Sequence, residues 1–165
     1  MFKKTITYSL GLGIITSGIF ILQYINDVHL KPPTSYGVAS LIFIIVFIFL
    51  GIKNNATENF QIKDGLKTGI AIAVISGIIY WLYQVIHVKF IEPELIYKIQ
   101  DLKFKQYIEF FPETSAEKLT TLKNEFLEGY HFNNFVGIML PSLFTGFITA
   151  MISSAILKYQ IKKNS

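Results

Sequence analysis

Four stretches of this chain, residues 5–25, 36–52, 68–88 and 135–157, contain no Asp, Glu, Lys or Arg. A hydrocarbon core about 30 Å thick is crossed by a helix of about 20 residues, with about 17 as the practical minimum. Each stretch is therefore long enough to span a bilayer, and the second is the tightest fit. That second stretch also argues against a soluble bundle, because residues 41–50 are an unbroken apolar run without the polar stripe a helix needs in water. In lipid every backbone polar group must be paired within its own segment, so these stretches are expected to be helices despite their many isoleucines and valines. The expected fold is an all-α integral membrane four-helix bundle. It forms one membrane domain over residues 1–165, with a helical loop at 89–134 between spans three and four.

Composition agrees with this reading: the chain is 52% hydrophobic and only 16% charged. The opening Met1-Phe2-Lys3-Lys4 followed by an apolar run has the look of a secretion signal. The run is longer than such a signal's apolar core and no small-x-small cleavage site follows, so it is read as a retained first helix. There is no cysteine, which removes disulfides and thiolate chemistry. All basic residues are lysines and they form no cluster beyond the helix flanks, which disfavours nucleic acid as a partner.

The lysines also suggest an orientation. Lys3, Lys4, Lys53, Lys63, Lys67, Lys158, Lys162 and Lys163 fall at the two termini and in the short connection between spans two and three. The opposite short loop has only Lys31. Short, lysine-rich flanks stay in the cytoplasm, so both termini are expected there, in a bacterial inner membrane, with 89–134 outside. Tyr24, Tyr36, Tyr80, Trp81 and Tyr83 lie where interfacial aromatics are expected.

Gly51-Ile52-Lys53, the segment from Gln61 through Lys63-Asp64-Gly65 to Gly69, then Tyr80 and Phe90-Ile91-Glu92-Pro93-Glu94 occur in a recognisable order, followed by Pro141 and Ser153-Ser154. In that order and spacing the chain resembles a bacterial four-span membrane family of unknown function, domain of unknown function number four-one-nine-nine. The resemblance runs over nearly the whole length. It implies the four-span architecture but carries no activity, cofactor or catalytic residue.

Two rows of small residues recur at every fourth position: Gly65, Gly69, Ala73 and Gly77 on the third span, and Ser142, Gly146, Ala150 and Ser154 on the fourth. Such rows let helix backbones approach closely where lipid offers no hydrophobic drive. Packing within one chain is the expected use, with homodimerisation as the alternative. No span carries an ionisable residue at mid-membrane, which disfavours ion-coupled transport. The hydroxyls and amides within the spans are read as helix-packing groups.

The three histidines, His29, His87 and His131, all fall toward the outer side, with Asp27, Glu92 and Glu128 in the same layer. A divalent metal site is conceivable only if the imidazoles converge, because zinc–nitrogen bonds are about 2 Å long. Their spacing matches no known motif, so ordinary interfacial histidines are the preferred reading. No metal, no cofactor and no catalytic residue is expected, and phosphate-loop, nucleophile-elbow and His-Glu-x-x-His motifs are missing from the sequence. An enzyme is the least supported class.

In the outer loop, Glu92 is expected to cap a helix whose first residue is Pro93 and which Pro112 stops near Phe111. Its charges form a narrow stripe, leaving Leu95, Ile99, Leu102, Tyr107 and Phe110 as a candidate interaction surface. A second helix is expected from a Thr114–Glu117 capping box to a stop at Gly129, and Pro141 is expected to open or kink the start of the last span. The leading functional expectation is a non-enzymatic contact role with membrane lipids and a membrane-protein partner or homodimer. The alternative is a small carrier of an apolar or weakly polar solute.

Overall fold

The computed structural model describes residues 2–164. Within them run α1 (Phe2–Ile25), α2 (Thr34–Asn55), α3 (Ile62–Ile86), a π-helical segment (His87–Ile91), α4 (Leu95–Phe110) and α5 (Ala116–Asn164). α1, α2, α3 with its π segment, and α5 are long and apolar enough to cross a membrane, and together they form the four-span bundle. The chain is an all-α membrane protein. Both described chain ends and the α2–α3 connection lie at one end of the bundle, here the terminal face. The α1–α2 loop, the π segment and α4 lie at the other, the hairpin face.

Local sequence explains where these helices begin and end. α1 stops at Asp27, which adopts a left-handed conformation with φ of 56°. Its N–H donates to the Tyr24 carbonyl at 2.9 Å and Val28 N–H donates to the Gln23 carbonyl at 2.9 Å, the pair of bonds that closes a helix C-terminus. α3 opens with a capping box in which the Asp64 carboxylate accepts from the Gln61 N–H at 3.2 Å. α4 ends at Phe110, just before Pro112, which cannot continue a helix.

The small residues of α3 and α5 face each other in antiparallel register. A Cβ placed on Gly69 would stand 2.4 Å from the Ala150 Cβ, and one on Gly146 would stand 2.4 Å from the Ala73 Cβ. At Gly65 the corresponding distance to the Ser154 Cβ is 2.9 Å, with the Ser154 Oγ nearer still at 2.0 Å. Real Cβ atoms cannot come so close, so the two backbones touch only because side chains are missing. At Gly77 the approach is through side chains, a Cβ there standing 3.1 Å from the Met139 Sδ and 3.6 Å from the Ser142 Cβ. Toward the terminal face Leu12, Ile48, Ile52, Ile72 and Ala150 form a closely packed core.

Several expectations for 89–134 are corrected. Glu92 does not cap a helix, and Pro93 is not its first residue. The chain first makes the π turn, closed by a bond from the Glu92 N–H to the His87 carbonyl at 2.9 Å, and α4 begins only at Leu95. Thr114 is not the cap of the second helix; its hydroxyl donates to the Phe111 carbonyl at 2.8 Å, while the Ser115 hydroxyl accepts from the Lys118 N–H at 3.3 Å. Gly129 stops nothing. It has an ordinary helical φ, and the helix runs through it into the last span, so that α5 has 49 residues. A glycine costs a helix interior about 1 kcal/mol, which the packing of Phe126 and Tyr130 on either side outweighs. Pro141 consequently lies inside α5, not at its start.

At 1.5 Å per residue α5 is about 73 Å long, more than twice the hydrocarbon thickness. The 19 residues from Ala116 up to residue 134 extend about 28 Å beyond the span and pair with α4 as an antiparallel hairpin. Phe104 meets Phe126 edge-on at 6.3 Å between ring centres, and the Gln100 amide donates to the Lys123 carbonyl at 2.7 Å.

Candidate functional site

Where the hairpin leaves the bundle, three separate segments place ionisable side chains around one carboxylate. A wide π turn advances the chain by one extra residue relative to an α turn, and here it carries Glu92 back over His87. The α1–α2 loop, folded back by the left-handed Asp27, delivers His29. The first turns of α4 deliver Lys98.

Lys98 Nζ lies 2.6 Å from Glu92 Oε1, while His29 Nε2 and His87 Nε2 lie 3.0 Å and 3.5 Å from Glu92 Oε2. The His87 side chain is fully buried, that of His29 is 3% exposed and that of Glu92 is 8% exposed. Only Lys98 reaches water. The Nδ1 of His87 lies 3.0 Å from the Tyr83 hydroxyl, and a ring proton on Nε2, toward the carboxylate, is the tautomer that suits both neighbours. His29 Nδ1 is buried and has no hydrogen-bond partner among the described residues, and the close approaches of His29 Nε2 and His87 Nε2 to Glu92 Oε2 are ion-pair contacts without hydrogen-bond alignment. Phe20 and Tyr24 present ring edges and faces to both imidazoles, with centre distances between 4.7 and 6.1 Å.

Burial by itself would push the Glu92 carboxyl up, but the Lys98 ammonium and the two histidines outweigh it and hold the group below its ordinary range. The same hydrogen bond holds Lys98 above its own. Glu92 therefore remains a carboxylate at neutral pH. Breaking such a buried pair costs far more than forming it gains, so the cluster acts as a latch that sets the geometry of the three segments it joins.

His29 and His87 thus converge, and Glu92 stands between them. His131 does not join them; it is exposed on α5 and packs against Tyr130 at 5.6 Å. The ammonium of Lys98 occupies the open side of the carboxylate and opposes a second cation. No group of three or more His, Asp or Glu side chains arranged to hold a metal ion is found among the described residues. Sequence reasoning placed His29, His87 and Glu92 in one layer but missed Lys98, whose signal was its position within two helical turns of Glu92.

Of the candidate interaction surface, Leu95 is withdrawn, because it is 2% exposed and packs with Val88 and Tyr130 at the hairpin base. Ile99 and Leu102 are half-buried on the flank facing α5. Tyr107 is half-buried and lies beside Phe111, 4.9 Å between ring centres, while Phe110 is 79% exposed at the tip. Tyr97, Ile108 and Phe111 are also exposed, so the outward apolar face differs from the one read from the sequence. The packing residues Gly65, Gly69, Ala73 and Gly77 meet Ser154, Ala150, Gly146 and Ser142 in the register described above.

Above the packed core, between α1, α2, α3 and α5, lies a cavity of about 250 Å³. Its lining is mostly apolar, with Thr16, Gln23, Ser40, Ser76, Tyr80 and Ser142 as uncharged polar groups, and Phe20 separates it from the latch.

Comparison with known proteins gives one result. No curated protein and no solved structure matches the chain. A family model described as protein of unknown function matches residues 7–159, almost the entire bundle and hairpin. The chain belongs to that family, DUF4199.

Proposed function

We propose that this protein is a non-enzymatic membrane protein that works through contacts made by its hairpin. The observation that carries the proposal is the aromatic tip. Phe110 and Phe111 stand exposed at the far end of α4, about 24 Å from its first turn by helical rise. Apolar groups so far from the bundle are not covered by the spans. Exposed apolar patches of this kind mark contact sites. The latch supports the reading, since it fixes the hairpin base to α1 and α3 and presents the tip in one orientation.

The lysine distribution supports placing the terminal face in the cytoplasm of a bacterial cell and the hairpin outside it. The partner is then the extracytoplasmic part of another membrane protein, or a second copy of this chain. Nucleic acid has no place in this reading.

A carrier role has one observation in its favour, the cavity with its few uncharged polar groups. A solute passing onward would have to cross the terminal half, where Leu12, Ile48, Ile52 and Ile72 are almost wholly buried against one another. The contact role is accordingly preferred. A photoreactive residue in place of Phe110, expressed in native membranes, tests it. A discrete protein adduct that is absent when the photoreactive residue replaces exposed Lys105 instead is the expected result. Adducts with lipid only, or none, would refute the contact role. Reporter fusions at the C-terminus check the sidedness, with a cytoplasm-only reporter expected to be active.

A further inference from the structure

The cavity among the four spans has a closed floor. Leu12 and Ala73, each 1% exposed, line it and belong to the packed core, and Ile44 packs against that core. Phe20 lies on the side of the latch, its ring edge-on to that of Tyr80 at 6.4 Å between centres. Of the lining residues only Gly137 and Pro141, both on α5, are exposed. A Cβ on Gly137 would have nothing within 4 Å. The way in is therefore along this edge of α5, within the span, and so from the bilayer. A chamber with one side entrance and a sealed floor holds a molecule and does not pass it on.

Its chemistry limits what it can hold. The hydroxyls of Thr16, Ser40 and Ser76 donate to carbonyls of their own helices at 3.0 to 3.1 Å, leaving oxygen lone pairs as acceptors. The Tyr80 oxygen accepts from the Gln84 amide at 2.9 Å, leaving its own proton to donate. The rest of the lining is apolar, the pattern of a small-molecule pocket in which a few polar groups fix the orientation. No carboxylate, imidazole or ammonium lines it, so a charged ligand would be buried without a partner, at high cost. Size follows by proportion: a cavity of about 150 Å³ holds benzene, so one of about 250 Å³ takes about ten non-hydrogen atoms.

We infer that the cavity is a binding site for a small uncharged amphiphile of about ten non-hydrogen atoms, which enters from the bilayer and sets a hydroxyl or carbonyl oxygen against the Tyr80 hydroxyl. The site is separate from the hairpin tip, and either proposal can fail without the other.

The test uses the full chain in phosphatidylcholine nanodiscs, with 3-fluorotyrosine in place of Tyr80, and follows its fluorine resonance as 2-phenylethanol is added. That resonance should shift to saturation. One placed instead at Tyr159, exposed near the far end of α5, should shift only in proportion to the alcohol in the bilayer. Propylbenzene, of the same size but without oxygen, should bind about tenfold more weakly at equal concentration in the bilayer, the worth of one hydrogen bond. Phenylacetate, which carries a charge, should give no saturable shift. Ser40→Trp, which fills the cavity from the little-buried half of α2, should abolish saturation. Gly18→Trp, outside the lining and with nothing near its Cβ, should leave it unchanged. Proportional shifting at Tyr80, saturation at Tyr159 as well, equal binding of propylbenzene, saturable binding of phenylacetate, or saturation that survives Ser40→Trp in a folded protein would each overturn the inference. Where Ser40→Trp fails to fold, the comparison of the three compounds on the unaltered lining decides.

Discussion

The two ends of this bundle are held by different physics. Toward the terminal face, α3 and α5 touch through Gly65, Gly69, Ala73, Gly146 and Ala150, and the stabilising effect is dispersion between backbones that no side chain keeps apart. Toward the hairpin face the four spans enclose a cavity, and above it the chain is fastened by a buried carboxylate with two imidazoles and an ammonium. Close packing cannot bind a ligand or change with pH, because it has neither space nor titratable groups. The end with space and charge is where binding and response can reside.

The largest effect expected from breaking this contrast is at the seam. Gly69→Leu must displace the Ala150 backbone, whose Cα would lie 3.3 Å from the new Cβ, as well as its side chain. Overpacking a core costs about 1–3 kcal/mol and occasionally more, and with backbone opposite we expect the upper end of that range. Denaturation in mixed detergent measures it, and a loss under about 1 kcal/mol would show that the helices can separate cheaply.

At the other end Glu92→Ala leaves two buried imidazoles facing an empty space. We expect about 2 kcal/mol, at the middle of the range for an orphaned buried group, since Lys98 is half exposed and can turn to water. The loss should be local: hydrogen exchange in α4 rises while that in the α3–α5 seam does not change. Equal loosening of both regions would show that the latch and the seam are one cooperative unit.

The pH response of the latch has a definite sign. Glu92 is held below its ordinary value of 4.5, so its contribution to stability is complete above that value and is lost as pH falls through the lower, folded value. Exchange in α4, corrected for the intrinsic rate, should accordingly be flat near neutral pH, begin to rise as pH approaches 4.5 and go on rising until the lower, folded value is passed. An earlier rise that persists in Glu92→Gln would place the sensitivity elsewhere.

The smallest effect is expected at Gly18, which lies on α1 with nothing within 4 Å of a Cβ. Gly18→Ala should cost nothing and raise stability by up to about 1 kcal/mol, the helix-interior cost of glycine, in contrast to Gly69→Leu. A large loss there would mean that a further surface, such as a second copy of the chain, covers Gly18.

The sequence by itself determined the four spans and the small-residue rows. Lipid leaves a backbone no partner but its own helix, so a charge-free run of sufficient length has one outcome, and a fourfold row of small residues has one face. It also placed His29, His87 and Glu92 at the same end of the molecule. Only the tertiary structure decided that Glu92 turns back over His87 through a π turn, that Lys98 closes the cluster, and that α5 continues through Gly129. Glycine and proline weaken a helix by a few kcal/mol at most, and contacts from residues distant in sequence are large enough to override them. The cavity was hidden for the same reason. It lies beside the first half of α2, which is little buried, and that follows from how whole helices are tilted against one another, which no run of residues encodes locally.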